Sequence, residues 1–145
     1  MHNLFRNIKA TRVENAAAAG TSDIESDSVD MAGFEGVAFV VALGAITSGA
    51  VTNVHLETST DNSSFSDLEG SAQTVADDDD NQIWILDCYK PRERYIRCVV
   101  DRGTQNAVVD GITAYQYGPK LAPVTHDATT VGGAEYHASP ARGTA

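Results

Sequence analysis

Short apolar runs separated by polar turns predict a chain made of β-strands. Val54, Leu56 and Thr58 alternate with polar residues, which is the pattern of a strand with one buried face. Residues 36–44 instead carry seven consecutive apolar residues between two glycines, which predicts a central strand covered on both faces. Since no window has the i, i+3, i+4, i+7 spacing of an amphipathic helix, we expect an all-β chain.

The rest of the pattern divides the chain into an arm, a sandwich and a tail. Further strands are predicted within residues 23–30, 83–88, 94–100, 107–109 and 112–117. Seven or eight short strands over about 100 residues are typical of an antiparallel sandwich or barrel, and the alternation does not separate a jelly roll from an immunoglobulin-like sandwich. We expect an extended N-terminal arm at 1–20, a β-sandwich domain at 21–118 and an extended C-terminal tail at 119–145. Core positions are predicted at Phe39, Val41, Val54, Leu56, Ile85, Ile96 and Val100.

Composition fits one folded domain and argues against several classes of protein. The chain has 145 residues and is 42% hydrophobic, which is enough for a single core and too apolar for a disordered chain. Its net charge of −10 argues against a nucleic-acid partner bound through a broad basic face. No run approaches the roughly 20 apolar residues of a membrane-spanning helix, and the start is too polar for a signal peptide. We therefore expect no membrane partner and a protein kept in the cytosol until something releases it.

Positive and negative charges occupy different parts of the sequence. From residue 21 to residue 89 there are 14 Asp and Glu residues and no Lys or Arg. Five cations then fall within residues 90–102, against only Glu93 and Asp101. Such segregation is compatible with simple solubility, but in a self-associating protein it would bring a basic edge against an acidic neighbour.

No grouping of reactive residues in the sequence predicts chemistry. The run Asp77–Asp80 lacks the spaced ligands of a calcium loop and is interpreted as a solvated crossing. The histidines are scattered at His2, His55, His126 and His137. They lack zinc-ligand spacing, and neither a G-x-S-x-G elbow nor a phosphate loop is present. Cys88 and Cys98 flank a turn and could face each other on paired strands, but a reducing cytosol favours two free thiols. We expect no catalytic residue, no metal and no cofactor, and hence no enzyme.

Three segments occur in a recognisable order. The first is VDMAGFEGVAFVV at 29–41, and the second is VHLETSTDNSSFSDLEG at 54–70, with an S-x-D-x-S-x-F-x-D hairpin. The third is RYIRCVV at 94–100, an R-Y-h-R strand in which h is apolar. Over residues 22–117 this order resembles the small capsid decoration, or cement, proteins of tailed bacteriophages. The resemblance implies a jelly-roll-like fold, oligomers that are commonly trimers, and attachment outside the major capsid lattice without catalysis.

The resemblance predicts a structural virion protein on the capsid exterior, assembled in the host cytoplasm. Its expected partners are the major capsid protein and further copies of itself in a homotrimer. The predicted contact residues are Leu4, Phe5, Arg6, Ile8, Lys9 and Arg12 in the arm, with Arg92, Arg94 and Arg97 in the basic segment. The arm combines apolar anchors with cations, which suits an acidic, grooved partner, whereas the plain alternative is a frayed terminus that touches nothing.

Three other functions stay open at this point. A β-sandwich binding module would display loops to a glycan or a host surface, and exposed aromatic side chains would favour it. The candidates are Trp84, Tyr89, Tyr95, Tyr115, Tyr117 and Tyr136. Another phage head or tail morphogenesis protein would share the β fold, and a hydrolase is the remaining alternative.

Overall fold

The computed structural model describes residues 3–144; residues 1, 2 and 145, at the ends of the predicted arm and tail, lie outside the described residues. Within the described chain there are eleven strands and one short 3-10 helix, Leu4–Arg6. The strands are β1 (Lys9–Glu14), β2 (Ala17–Gly20), β3 (Ile24–Glu25), β4 (Val29–Asp30), β5 (Gly36–Ile46), β6 (Val51–Ser59), β7 (Ser66–Asp67), β8 (Gln73–Val75), β9 (Ile83–Tyr89), β10 (Tyr95–Gly103) and β11 (Ala107–Tyr117).

These strands form two antiparallel sheets packed against each other. The front sheet has the order β1–β11–β5–β9, with β2 also paired to β11. The back sheet has the order β3–β10–β6–β7, with β4 also paired to β10 and β8 to β6. The prediction of an all-β antiparallel sandwich is confirmed.

The connectivity is that of a jelly roll. Three pairs of short strands, β1 with β2, β3 with β4, and β7 with β8, each lie along one common partner and act as one interrupted strand. Residues 3–144 then supply eight strand positions, four in each sheet, and the chain crosses between the sheets at every step except the β6–β7 hairpin. Eight positions in two sheets joined in this way define the jelly roll, so the connectivity resolves the choice that alternation left open.

The core lies between the sheets and contains six of the seven predicted positions. Phe39, Val41, Val54, Leu56, Ile96 and Val100 are all at most 2% exposed. The prediction for Ile85 is wrong, because this residue is 55% exposed. In β9 the inward position belongs to Leu86, which is 3% exposed and lies opposite Phe39. Since adjacent strand residues point to opposite faces, burying Leu86 turns Ile85 outward.

The structure differs from the predicted arm in residues 9–20. β1 and β2 pair with β11 and form an edge of the front sheet, and Val13 is 2% exposed within the core. The segment has the alternation of an edge strand, but Ala and Thr fill most of its positions, so the apolar signal is weak. Only residues 3–8 precede the sheet in the described chain.

Within residues 119–144 the tail forms no strand, and its first half folds back over the start of the chain. The Val124 N–H donates to the Arg6 carbonyl at 2.9 Å. The first half of the tail therefore meets the 3-10 helix beside β1, at one edge of the front sheet.

Candidate interaction surfaces

The outer face of the back sheet is a network of ion pairs. Arg97 on β10 donates to carboxylate oxygens of Glu57 on β6 and Glu25 on β3. Its guanidinium also lies 4.3 Å from the centre of the Phe65 ring. Because the Arg97 side chain is 17% exposed and has these partners, it is engaged within its own sheet rather than offered outward.

A histidine and two carboxylates meet on the same face. Ligand atoms of His55, Glu57 and Asp67 lie within 4.8 Å of one another, and His55 Nδ1 lies 3.4 Å from a carboxylate oxygen of Asp101. The fold creates this group because His55 and Glu57 share one face of β6, while β7 places Asp67 opposite Glu57. Sequence spacing could not reveal it. Since Arg97 already pairs with Glu57, the group belongs to the ion-pair network.

The outer face of the front sheet is built from small and apolar side chains. The strand register places Val40 between Thr113 and Ile85, with Ala42 beside Ile83 in the next row. We call this surface the apolar face; its residues are Ala38, Val40, Ala42, Ile83, Ile85, Thr113 and Tyr115. Ile83 and Ile85 are 59% and 55% exposed.

The two outer faces of the sandwich differ in their side-chain chemistry. The back sheet shows that this sequence can cover an outer face with charged groups. Monomeric proteins rarely expose contiguous apolar patches larger than a few hundred Å², and such larger patches commonly mark interaction sites. The front sheet is therefore the side of the sandwich suited to a partner.

Tyr117 borders the apolar face in a fixed position. A Cβ on Gly36 would lie 2.3 Å from the Tyr117 ring, so only glycine lets the ring cross β5 at this point. The hydroxyl then donates to the Asp87 carboxylate on β9 at 2.6 Å. Burial and this carboxylate raise the pKa of Tyr117. The Asp87 charge is thereby partly satisfied within the chain.

The predicted arm residues fall on neighbouring elements. Leu4, Phe5 and Arg6 form the 3-10 helix, Ile8 lies between this helix and β1, and Lys9 and Arg12 belong to β1. Leu4 is 49% exposed and Phe5 39%, whereas Ile8 and Lys9 are half-buried. Arg12 is exposed and lies opposite Thr113, so it borders the apolar face.

The tail holds the 3-10 helix in place through His126. The Phe5 ring lies 6.0 Å from the Tyr115 ring and 6.4 Å from the His126 ring. His126 Nδ1 accepts the Ala10 N–H at 3.3 Å, and Nε2 lies 2.8 Å from the Phe5 carbonyl, to which it donates in the neutral tautomer. The exposed apolar residues of the helix are therefore presented from a packed base that continues into the apolar face.

The cations of the basic segment 90–102 lie in different environments. Arg94 forms two hydrogen bonds with Asp30, at 2.9 and 2.8 Å, and these hold the pKa of Asp30 below its usual value. Arg102 is 7% exposed and points into the sandwich. Among residues 3–144, Lys90 and Arg92 form no ion pair and are both exposed. The basic edge indicated by the sequence is thus reduced to the turn that follows β9.

The acidic loop Asp77–Asp80 has a structural role. Asp77 accepts the Gly49 N–H, Asp79 accepts the Ala76 N–H at 3.1 Å, and Asp80 accepts the Ile46 N–H. Three of the four carboxylates therefore tie this loop to itself and to the end of β5 and the connection that follows it. Asp78 is exposed and forms no such bond within the described chain.

Both cysteines are free thiols. The idea that they could face each other on paired strands is wrong, because Cys88 lies in β9 of the front sheet and Cys98 in β10 of the back sheet. Burial raises the pKa of Cys98 to about 12 and also raises that of Cys88.

Of the six aromatic residues considered as a binding platform, Tyr89 is the exposed one, at 59%. The Lys90 ammonium lies 5.1 Å from the centre of its ring. An aromatic platform of several residues, as a glycan-binding module would use, is not formed by this set.

Compared with known proteins, the chain matches no protein-family model and no curated protein. In the described residues, no helix is long and apolar enough to cross a membrane. The arm and the apolar face are two exposed features that lie at or beside the front sheet.

Proposed function

We propose that this protein is a capsid decoration, or cement, subunit that binds the outside of a tailed-bacteriophage head and stabilises it. The observation that carries the proposal is the unequal covering of the jelly roll, with an ion-paired outer face on one sheet and an apolar outer face on the other. The ordered segments within 22–117 that resemble this family add support. The role is mechanical and requires no catalytic residue.

The capsid contact is assigned to the β1 edge of the front sheet. Here Leu4 and Phe5 are exposed, and they are backed by Tyr115 and the tail. Arg6 lies 5.0 Å from the centre of the Tyr136 ring, and Arg12 is exposed beside the apolar face. Two apolar anchors flanked by two cations fit an acidic surface with an apolar groove on the major capsid protein.

Repetition on the lattice supplies the stabilisation. A standard interface of about 1,600 Å² gives useful affinity for one subunit. A homotrimer bound at a symmetry axis would engage several capsid subunits at once, and each further contact would then be intramolecular. Such a clamp joins neighbouring capsid subunits against the pressure of packaged DNA.

The test is binding to capsids assembled without this chain. The double variant Leu4→Asp/Phe5→Asp removes the anchors and leaves β1, which begins at Lys9, complete. Leu121→Asp is the matched control, since Leu121 is 85% exposed in the tail. We expect co-sedimentation with capsids to fall sharply for the double variant and to persist for the control, while both keep the circular dichroism of the parent. A double variant that decorates capsids as well as the parent would remove the arm from the interface.

A further inference from the structure

Strand β9 forms an open edge at the opposite end of the front sheet from the arm. Within the described part of the chain it pairs with β5 on one side, and no strand lies along its other side. The pairing with β5 runs from Ile83 to Tyr89 without a bulge. Sheet edges are usually protected by proline, lysine, bulges or a covering segment. β9 contains no proline, lysine or bulge, and its single charged group, Asp87, is bonded to Tyr117. The segment 68–73 borders this edge across an open groove and bonds to it through the Gln73 side chain.

The hydrogen-bond pattern shows which backbone groups face the open side. The Leu43 N–H donates to the Gln82 carbonyl at 3.0 Å, and the Lys90 N–H donates to the Glu35 carbonyl at 2.7 Å. The backbone N–H and C=O groups of the even-numbered residues of β9 therefore face β5, because the hydrogen-bonding side alternates from residue to residue along an antiparallel strand. Ile83, Ile85, Asp87 and Tyr89 turn their N–H and C=O groups to the open edge. The Ile85 carbonyl accepts a side-chain bond from Gln73 at 3.0 Å, which an incoming strand would displace.

We propose that β9 pairs antiparallel with β9 of a second copy of this chain about a two-fold axis, which joins the two front sheets into one continuous sheet. The occupant is a second copy because the ends of β9 carry opposite charge. The acidic loop Asp77–Asp80 precedes the strand, and the cations Lys90 and Arg92 follow it. Antiparallel pairing places the acidic loop of each copy beside the basic turn of the other, so the charges match twice.

The register follows from the same residues. Residues whose backbone groups face the open edge must lie opposite each other in the two copies. Near the middle of the strand, the two-fold axis can then pass through Ile85, Leu86 or Asp87. An axis through Asp87 opposes two like charges, and an axis through Ile85 leaves Tyr89 unpaired. The axis through Leu86 opposes Ile83 to Tyr89 and Ile85 to Asp87 over the full strand. In this register the acidic loop before β9 of one copy lies beside the basic turn after β9 of the other.

This pairing uses β9 alone and does not depend on capsid attachment. In a protein that also forms trimers through another surface, it would link trimers two by two. The experiment therefore uses the full chain without capsids. Sedimentation equilibrium of the parent should give twice the mass found for Ile85→Glu, because each introduced carboxylate would lie opposite Asp87 of the other copy. We expect an association constant at least about tenfold lower for this variant.

Matched variants distinguish pairing through β9 from nonspecific association. Val51→Glu is the matched control, since Val51 is 63% exposed on β6 of the back sheet and is paired with Gly103, and this variant should associate like the parent. Arg92→Glu should weaken association, and Asp78→Arg added to it should restore it by exchanging the charges. Equal association of the parent and Ile85→Glu, or a parent that shows no doubling of mass at any concentration, would overturn the proposal.

Amide hydrogen exchange tests the edge directly. The N–H groups of Ile83, Ile85, Asp87 and Tyr89 should gain protection as the protein concentration rises. Those of Trp84, Leu86 and Cys88, which already bond to β5, should be protected throughout. Association without this alternation would place the contact elsewhere and would overturn the proposal.

Discussion

Replacing Arg102 by methionine tests how the two sheets are joined. The Arg102 guanidinium donates to the carbonyls of Ser22, Ala18 and Ala107 at 2.7, 2.9 and 2.8 Å, so it connects β10 of the back sheet to the β2 edge of the front sheet. Hydrogen bonds to a charged group contribute about 1.5–3 kcal/mol each, but burying the cation offsets part of that sum. After substitution, water can reach the partly buried Ser22 and Ala18 carbonyls, whereas the buried Ala107 carbonyl loses its partner at a cost of about 1–3 kcal/mol.

We expect Arg102→Met to lower the free energy of unfolding by about 2–4 kcal/mol, because methionine keeps much of the packing and none of the bonds. The control is Arg94→Met, whose ion pair with Asp30 is 58% and 42% exposed and should contribute little, since water screens exposed ion pairs. Urea unfolding followed by circular dichroism measures both variants. Equal losses for the two substitutions would refute the role of Arg102 as the connection between the sheets.

Three further predictions concern the core, the acid limit and the thiols. Leu86→Ala should lower the free energy of unfolding by about 2–5 kcal/mol, and Ile85→Ala by less than about 1 kcal/mol. Urea midpoints in the reverse order would contradict the assignment of Leu86 to the inner face of β9 and Ile85 to the outer face. The pKa of Asp61 is lowered by N–H and hydroxyl donors of its own hairpin, and the pKa of Asp30 is lowered by Arg94. As the pH falls, these two carboxylates are therefore protonated in the unfolded chain before they are protonated in the folded protein. The stability that they contribute above pH 3.8 should be lost as the pH falls through their lower pKa values in the folded protein. Asp61→Asn should make that loss shallower in urea midpoints measured from pH 5 to pH 2, and an unchanged slope would exclude the contribution. Burial that raises the pKa of Cys98 to about 12 should leave this thiol unreactive towards iodoacetamide at pH 8 in the native protein, and rapid labelling would contradict its buried position.

The sequence predicts the β class and most of the core because alternation and apolar runs report burial directly. It fails at Ile85 because four apolar residues in a row, 83–86, do not reveal which two face inward. The neighbouring strand decides, since Phe39 on β5 stands opposite Leu86. The sequence also fails to predict β1, because an edge strand that contributes only Val13 to the core has a weak apolar pattern.

The candidate surfaces were only partly accessible to sequence analysis. Exposed arm anchors such as Phe5 can be proposed from composition, but their packing on Tyr115 depends on a contact between distant segments. The basic segment looked uniform because charge alone does not distinguish the buried Arg102 from the exposed Arg92. The open edge of β9 follows from strand order, which no local pattern contains.

The central claim is attachment to a phage head, and imaging of particles tests it most directly. Electron cryomicroscopy would compare heads assembled from a genome that encodes this chain with heads from the same genome after its deletion. We predict jelly-roll density on the outside of the capsid lattice, with the β1 edge against the major capsid protein, and its loss on deletion together with earlier release of DNA on heating. Heads that are identical with and without the chain, in density and in heat resistance, would contradict the account.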